Sequence, residues 1–144
     1  MQPQPITKAS EKDTVNVVRS TYRNRDLVKR LKEYLLCDNN LTKTDITREE
    51  LTDILGTNRN TLSKAVRIVT GNTLMQYIRE LQLEEARRLL DNHPELTVET
   101  IAFECGFKSP ATFYRHFRKH YGISPTEYRN KPDNERKNTK IMTK

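Results

Sequence analysis

Two stretches of this 144-residue chain carry bases and no acid. Residues 57–71 hold Arg59, Lys64 and Arg67, and residues 106–122 hold Lys108, Arg115, Arg118 and Lys119. Their charges equal the entire net charge of +7, so the rest of the chain is balanced. Guanidinium and ammonium groups gathered without carboxylates suit a polyanion, whose phosphates they neutralise as counterions are released. Both stretches also have a helical period of about 100° per residue. In the first, Leu62, Val66 and Val69 share a core-facing side, Asn60, Lys64 and Arg67 lie opposite, and Ser63 is at the margin. In the second, Phe113, Phe117, His120 and Tyr121 cluster, while Ala111, Thr112, Arg115, Arg118 and Lys119 face away. Each is an apolar anchor with a basic outer face. A basic face alone is commonly no more than a solvated surface.

Other chemistries find less support. His116 and His120 stand at i, i+4, a spacing that can hold zinc, but no acid or cysteine follows at ligand spacing. No metal and no cofactor is expected. A phosphate loop, a nucleophile elbow and a cluster of metal ligands are all missing, so the chain does not read as an enzyme. Cys37 and Cys105 form no CxxC and lie in apolar helical stretches, which suggests two reduced, buried thiols. No apolar run approaches the ~20 residues of a membrane span. The N-terminus, "MQPQPITKASEK", lacks the apolar core of a secretory signal. A cytoplasmic protein without membrane contact is the expectation.

The elements that must position the bases are legible from their punctuation. Apolar residues make up 34% and charged residues 31%, and strand-like alternation is lacking, which favours an all-α fold with thin cores. Each of the four glycines, at 56, 71, 106 and 122, stands where a helix can end. Thr47-x-x-Glu50, Thr73-x-x-Gln76 and Ser124-Pro125-Thr126-Glu127 read as capping boxes, and Thr97 marks another start. Pro110 follows Ser109, so it occupies the first helical position, where its missing N–H costs nothing. About seven helices are predicted, over 26–37, 47–55, 59–70, 73–91, 97–105, 110–121 and 125–130. Residues 1–23 and 131–144 lack periodicity and are expected to be disordered, leaving one folded domain over 24–130.

Within that domain lies a repeat. "TREELTDILG" aligns with "TVETIAFECG" at a shift of 50, pairing Leu51 with Ile101, Thr52 with Ala102 and Gly56 with Gly106. Leu62, Val66 and Gly71 stand at the same offsets as Phe113, Phe117 and Gly122, after a turn one residue longer. Each copy is a short helix, a glycine turn and a second helix, the helix-turn-helix layout. The first unit covers 46–71 and the second 96–130. A linker helix at 73–91 joins them, apolar first along Leu74, Tyr77, Ile78 and Leu81, then along Leu83, Ala86 and Leu90. Such a helix is buried against two partners in succession. Its length of about 28 Å compares with about 34 Å between successive major-groove faces of B-DNA.

Residues 46–130 resemble the DNA-binding domain of AraC/XylS-family bacterial transcription regulators, most closely in "IAFECGFKSPATFYRHFRKHYGISPTEYR". Thr52, Lys64, Val66 and Gln82 depart from the alanine, arginine, phenylalanine and arginine usual there. The resemblance implies a sequence-specific regulator bound to double-stranded DNA, with RNA polymerase as a further partner. It places the base-reading positions at Asn60, Ser63 and Lys64, and at Pro110, Ala111, Thr112 and Arg115. Arg115 suits a bidentate pair with guanine and Asn60 one with adenine. Lys64 suits guanine or a phosphate, and Pro110 and Ala111 can offer only apolar contact. Arg59, Arg67, Ser109, Arg118 and Lys119 suit phosphates. Two reading helices in one chain predict a monomer. The alternatives are a helical adaptor for an acidic protein and the C-terminal output piece of a larger sensor.

Overall fold

The computed structural model describes residues 7–42 and 46–136. The described residues form eight α-helices: α1 (Thr7–Leu36), α2 (Arg48–Leu55), α3 (Arg59–Thr70), α4 (Leu74–Asn92), α5 (Val98–Glu104), α6 (Pro110–Tyr121), α7 (Pro125–Asn130) and α8 (Asp133–Arg136). A single 3-10 turn, Asn40–Thr42, follows α1. The all-α fold with two helix-turn-helix subdomains and a connecting helix is therefore the observed one.

The chain divides into two compact units. The first takes residues 1–34 and 47–74, and the second takes 35–46 and 75–144. In the first unit, Leu27, Val28 and Leu31 of α1, Leu51 and Leu55 of α2, and Leu62, Ala65 and Val66 of α3 are buried. The α2 helix packs on α3. Arg30 of α1 donates to the Leu55 carbonyl at 2.9 Å, satisfying one of the orphan acceptors at the end of α2.

The second unit has an aromatic core. Phe107, Phe113, Phe117, Tyr121 and Tyr128 join Leu83, Ala86 and Leu90 of α4 and Val98, Ile101 and Ala102 of α5. Their rings meet edge to face or tilted, with centroids 5.0 Å apart for Phe107–Phe113, 5.6 Å for Phe113–Phe117 and 4.7 Å for Phe117–Tyr121. The ring quadrupole favours such geometries over a flat sandwich. Tyr128 sends its hydroxyl out of this core to donate to Asp91 at 2.9 Å, and Arg129 donates to the Leu96 carbonyl at 2.6 Å. These two bonds hold α7 against the end of α4 and the loop that follows.

The backbone repeats itself as the sequence does. Thr57 N–H donates to Thr52 O at 2.9 Å, and Phe107 N–H donates to Ala102 O at 3.0 Å, the same bond 50 residues on. Gly71 N–H to Arg67 O and Gly122 N–H to Arg118 O recur at a shift of 51, at 2.9 and 2.7 Å. The longer second turn accounts for the extra residue.

Four expectations need correction. The first helix was predicted from residue 26, but it begins at Thr7, so the segment expected to be disordered over 1–23 is helical from that residue on. No proline or glycine lies between Pro5 and Gly56 to stop the helix, and Val15, Val18 and Tyr22 stand at i, i+3 and i+7, a helical spacing, although all three are exposed. Cys37 is exposed just past the end of α1, where Asp38 and Asn39 take positive φ, and only Cys105 is buried. Burial pushes the Cys105 thiol up to about 12. Val69 is 40% exposed, and Ala65 fills the core position instead. Val69 stands in the last turn of α3, two residues before the Gly71 that closes it. In the expected C-terminal tail, Asp133–Arg136 is helical. Residues 1–6 and 137–144 of the expected tails lie outside the described residues.

Gly106 has φ +88°, and a Cβ there would stand 2.2 Å from the Leu41 carbonyl oxygen and 2.7 Å from Gln82 Nε2. Gly56 has φ +65° with nothing within 4 Å of such a Cβ. Gly56→Ala is therefore expected to cost about 1–2 kcal/mol, from backbone strain alone. Gly106→Ala adds overpacking and should cost at least about 1 kcal/mol more, as read from urea melts. Burial also raises Tyr121 and Tyr128 to about 12. The folded state thus holds their protons more tightly than the unfolded chain, and stability should fall as pH rises from about 10 towards 12. Denaturation at a series of alkaline pH values would register that fall.

Candidate nucleic-acid interface

In the first unit, Asn58 caps α3 by accepting the Thr61 N–H at 2.9 Å. With Leu62, Ala65 and Val66 buried, the opposite side of the helix presents Asn60, Lys64 and Arg67 exposed and Ser63 half-buried. Arg59 is exposed as well, but it lies 3.8 Å from Glu49 of α2, with both side chains more than 60% exposed. So loose a pair contributes little in water and leaves Arg59 open to exchange its partner. Every residue expected to act from α3 therefore lies outside the core.

In the second unit, Ser109 caps α6 by accepting the Thr112 N–H at 3.2 Å, and its own hydroxyl donates to Thr112 Oγ1 at 3.0 Å. The hydroxyl expected on a phosphate is thus engaged in starting the helix. Thr112 keeps its own O–H and methyl. Pro110 is the first helical residue, as its fixed φ allows. Ala111, Arg115, Arg118 and Lys119 are exposed, and Pro110 and Thr112 are half-buried. Phe113, Phe117, His120 and Tyr121 are buried, the grouping expected from their spacing. His120 packs edge-on to Tyr121 at 4.6 Å, and burial lowers its pKa. Among the described residues no group of three or more His, Cys, Asp or Glu could hold a metal.

One basic residue escaped the sequence reading. Arg79 of α4 places its guanidinium carbon 4.6 Å from the centre of the Phe107 ring and donates to Gln82 Oε1 at 3.1 Å. Gln82 Nε2 donates in turn to the Leu41 carbonyl at 3.3 Å, so both ends of that buried amide are fixed. Burial and then the Arg115 charge lower the Arg79 pKa. The neighbour Glu80 hides Arg79 from any search for acid-free runs, and no period on α6 points to it.

Residues 51–131, more than half of the chain, match the helix-turn-helix domain family. The chain belongs to the AraC/XylS family of helix-turn-helix DNA-binding domains. The HTH-type transcriptional activator RhaS of Escherichia fergusonii is 37% identical over 81 residues, 56% of this chain and 29% of that protein. A histidine kinase of Formosa agariphila is 27% identical over 100 residues, 69% of this chain and 7% of that protein. The chain thus spans less than a third of either relative. Among solved structures, the DNA-binding domain of AdpA in complex with a target DNA superposes with a TM-score of 0.62 at 29% identity, over 70% of this chain and 87% of that one. An AraC-type regulator from Chromobacterium violaceum gives 0.56 at 28% identity, over 60% and 80%. No helix among the described residues is long and apolar enough to cross a membrane.

The caps that start the two outward-facing helices are testable by themselves. Asn58→Ala and Ser109→Ala each remove an acceptor for a helix-start N–H, and each should lower stability by about 1 kcal/mol. Chemical denaturation should register the loss, and Ser109→Asp should largely restore it.

Proposed function

We propose that this chain is a sequence-specific transcription regulator that binds double-stranded DNA through the major groove with α3 and α6. The observation that carries this reading is the pair of capped helices, each anchored by an apolar side and each presenting an exposed face with bases and no acid. The similarity to a transcriptional activator and to a domain crystallised on its target DNA supports it. Asn60, Ser63 and Lys64 read bases from α3. From α6, Arg115 pairs with a guanine, and Pro110, Ala111 and Thr112 give sparse, largely apolar contact. Arg59, Arg67, Arg118 and Lys119 bind phosphates, and Ser109 supports them by fixing the start of α6. With two reading helices in one chain, the protein binds as a monomer in the bacterial cytoplasm, and RNA polymerase is its further partner.

A second reading, in which this chain is the output piece of a larger sensor, draws on the histidine kinase of which it matches 7%. It shares the same DNA chemistry. An antibody raised against the chain would separate the two by the mass of the protein it detects in the native cell.

Selection from a random duplex library at near-physiological salt should recover two short submotifs about 10 bp apart. Arg115→Ala should relax one base position at a cost of about 1–3 kcal/mol. Arg118→Ala should weaken all sequences alike and reduce the salt slope by about 1. No enrichment, with binding that vanishes as salt rises, would sink the regulator reading and leave a basic adaptor for an acidic protein.

A further inference from the structure

Arg79 is half-buried, and its surroundings do not balance its charge. Its guanidinium lies on Phe107 and donates to the neutral Gln82 amide, and the charge that acts on it is Arg115, of the same sign. The Phe107 ring also meets the imidazole of His116, with centroids 6.3 Å apart. Arg79 and His116 are therefore brought to one buried ring from two different helices. Taking a cation partly out of water beside another cation is unfavourable unless an anion arrives to compensate.

We propose that Arg79 and His116, seated together on Phe107 beside Arg115, form a binding site for one phosphate of the DNA backbone, and that His116 takes up a proton from solvent as that phosphate docks. This rests on the DNA-binding reading and adds to it a contact from the connecting helix. On α6, His116 lies about 100° round the axis from Arg115. A helix whose Arg115 side points at base edges turns that flank towards the phosphate wall of the groove. The charges acting on His116 are Arg79 from α4 and Arg115 and Lys119 from its own helix, all positive, and Phe107 adds none. Burial first, and then those three cations, hold the free imidazole below its ordinary range, which favours the neutral ring before DNA arrives. A phosphate reverses the local sign and favours the imidazolium, which then donates a charge-assisted hydrogen bond.

The sign of the linkage follows. The His116 pKa is higher in the complex than in the free chain. The affinity gain is complete below the free value and disappears as pH rises through the bound value.

The test uses the chain as it stands, with the duplex recovered by selection, at fixed ionic strength between about pH 5 and 8. The wild type should bind about tenfold tighter at the acidic end, and calorimetry in two buffers of different ionisation enthalpy should show proton uptake. His116→Gln should abolish both. Arg79→Gln, which keeps the partner for Gln82, should reduce the slope of log affinity against log salt by about 0.9. An unchanged pH profile in His116→Gln, or an unchanged salt slope in Arg79→Gln, overturns the proposal while DNA binding stands. Should Arg79→Gln fail to fold, the His116 ring resonances of the wild type decide: a pKa that does not rise on adding the duplex overturns the site. If neither the wild type nor any variant binds a duplex above low salt, the DNA-binding reading itself has failed, and this site with it.

Discussion

The second unit depends on one close approach. Gly106 lies so near the Leu41 carbonyl that any β-carbon would collide with it, and its φ of +88° is open to few other residues. This turn sets where α5 stops and where α6 starts. Ala102, four residues before, is buried without bulk, and its carbonyl accepts the Phe107 N–H. The first unit solves the same problem with Thr52, whose hydroxyl donates to the Glu49 carbonyl and so brings no unmet polar group into the core.

Once the turn aims α6, the aromatic core sets its rotation. Phe113, Phe117 and Tyr121 interlock with Phe107 and Tyr128 on one side, which leaves Arg115 and Lys119 no place but outside. Rolling the helix by one residue would bury a cation and break several edge-to-face contacts together, so the outward face is held by packing rather than by its own charges. The first unit does this with smaller residues. Leu62, Ala65 and Val66 anchor α3, and Val69, in its last turn, is left partly in water.

Charge is arranged differently in the two units. Arg59 of the first unit stands near Glu49, both well exposed, so it can trade one anion for another at little cost. Around α6 the cations face one another. Arg79 and His116 have their charged forms disfavoured by burial and by like charge, while the Gln82 amide accepts from Arg79 and donates to the Leu41 carbonyl. Such a cluster has its lowest free energy with an anion present.

Most of the architecture was readable from the sequence because helix ends are local events. Thr47, Thr97, Ser109 and Ser124 accept an N–H three residues on, and Gly56, Gly71 and Gly122 adopt the left-handed conformation that closes a helix. Those preferences depend on a few neighbouring residues, so punctuation and periodicity were enough to locate α2 to α7, the repeat and the two outward basic faces. In the first half of α1 the helical spacing of Val15, Val18 and Tyr22 is set among polar residues and stays exposed, so that segment reads as a polar tail. Tertiary structure alone decided the rest: that Cys37 is exposed and Cys105 buried, that Val69 is half in water, and that Arg79 and His116 share one ring. These depend on which elements meet in space, and residues 37 positions apart in sequence become neighbours only when the core has closed.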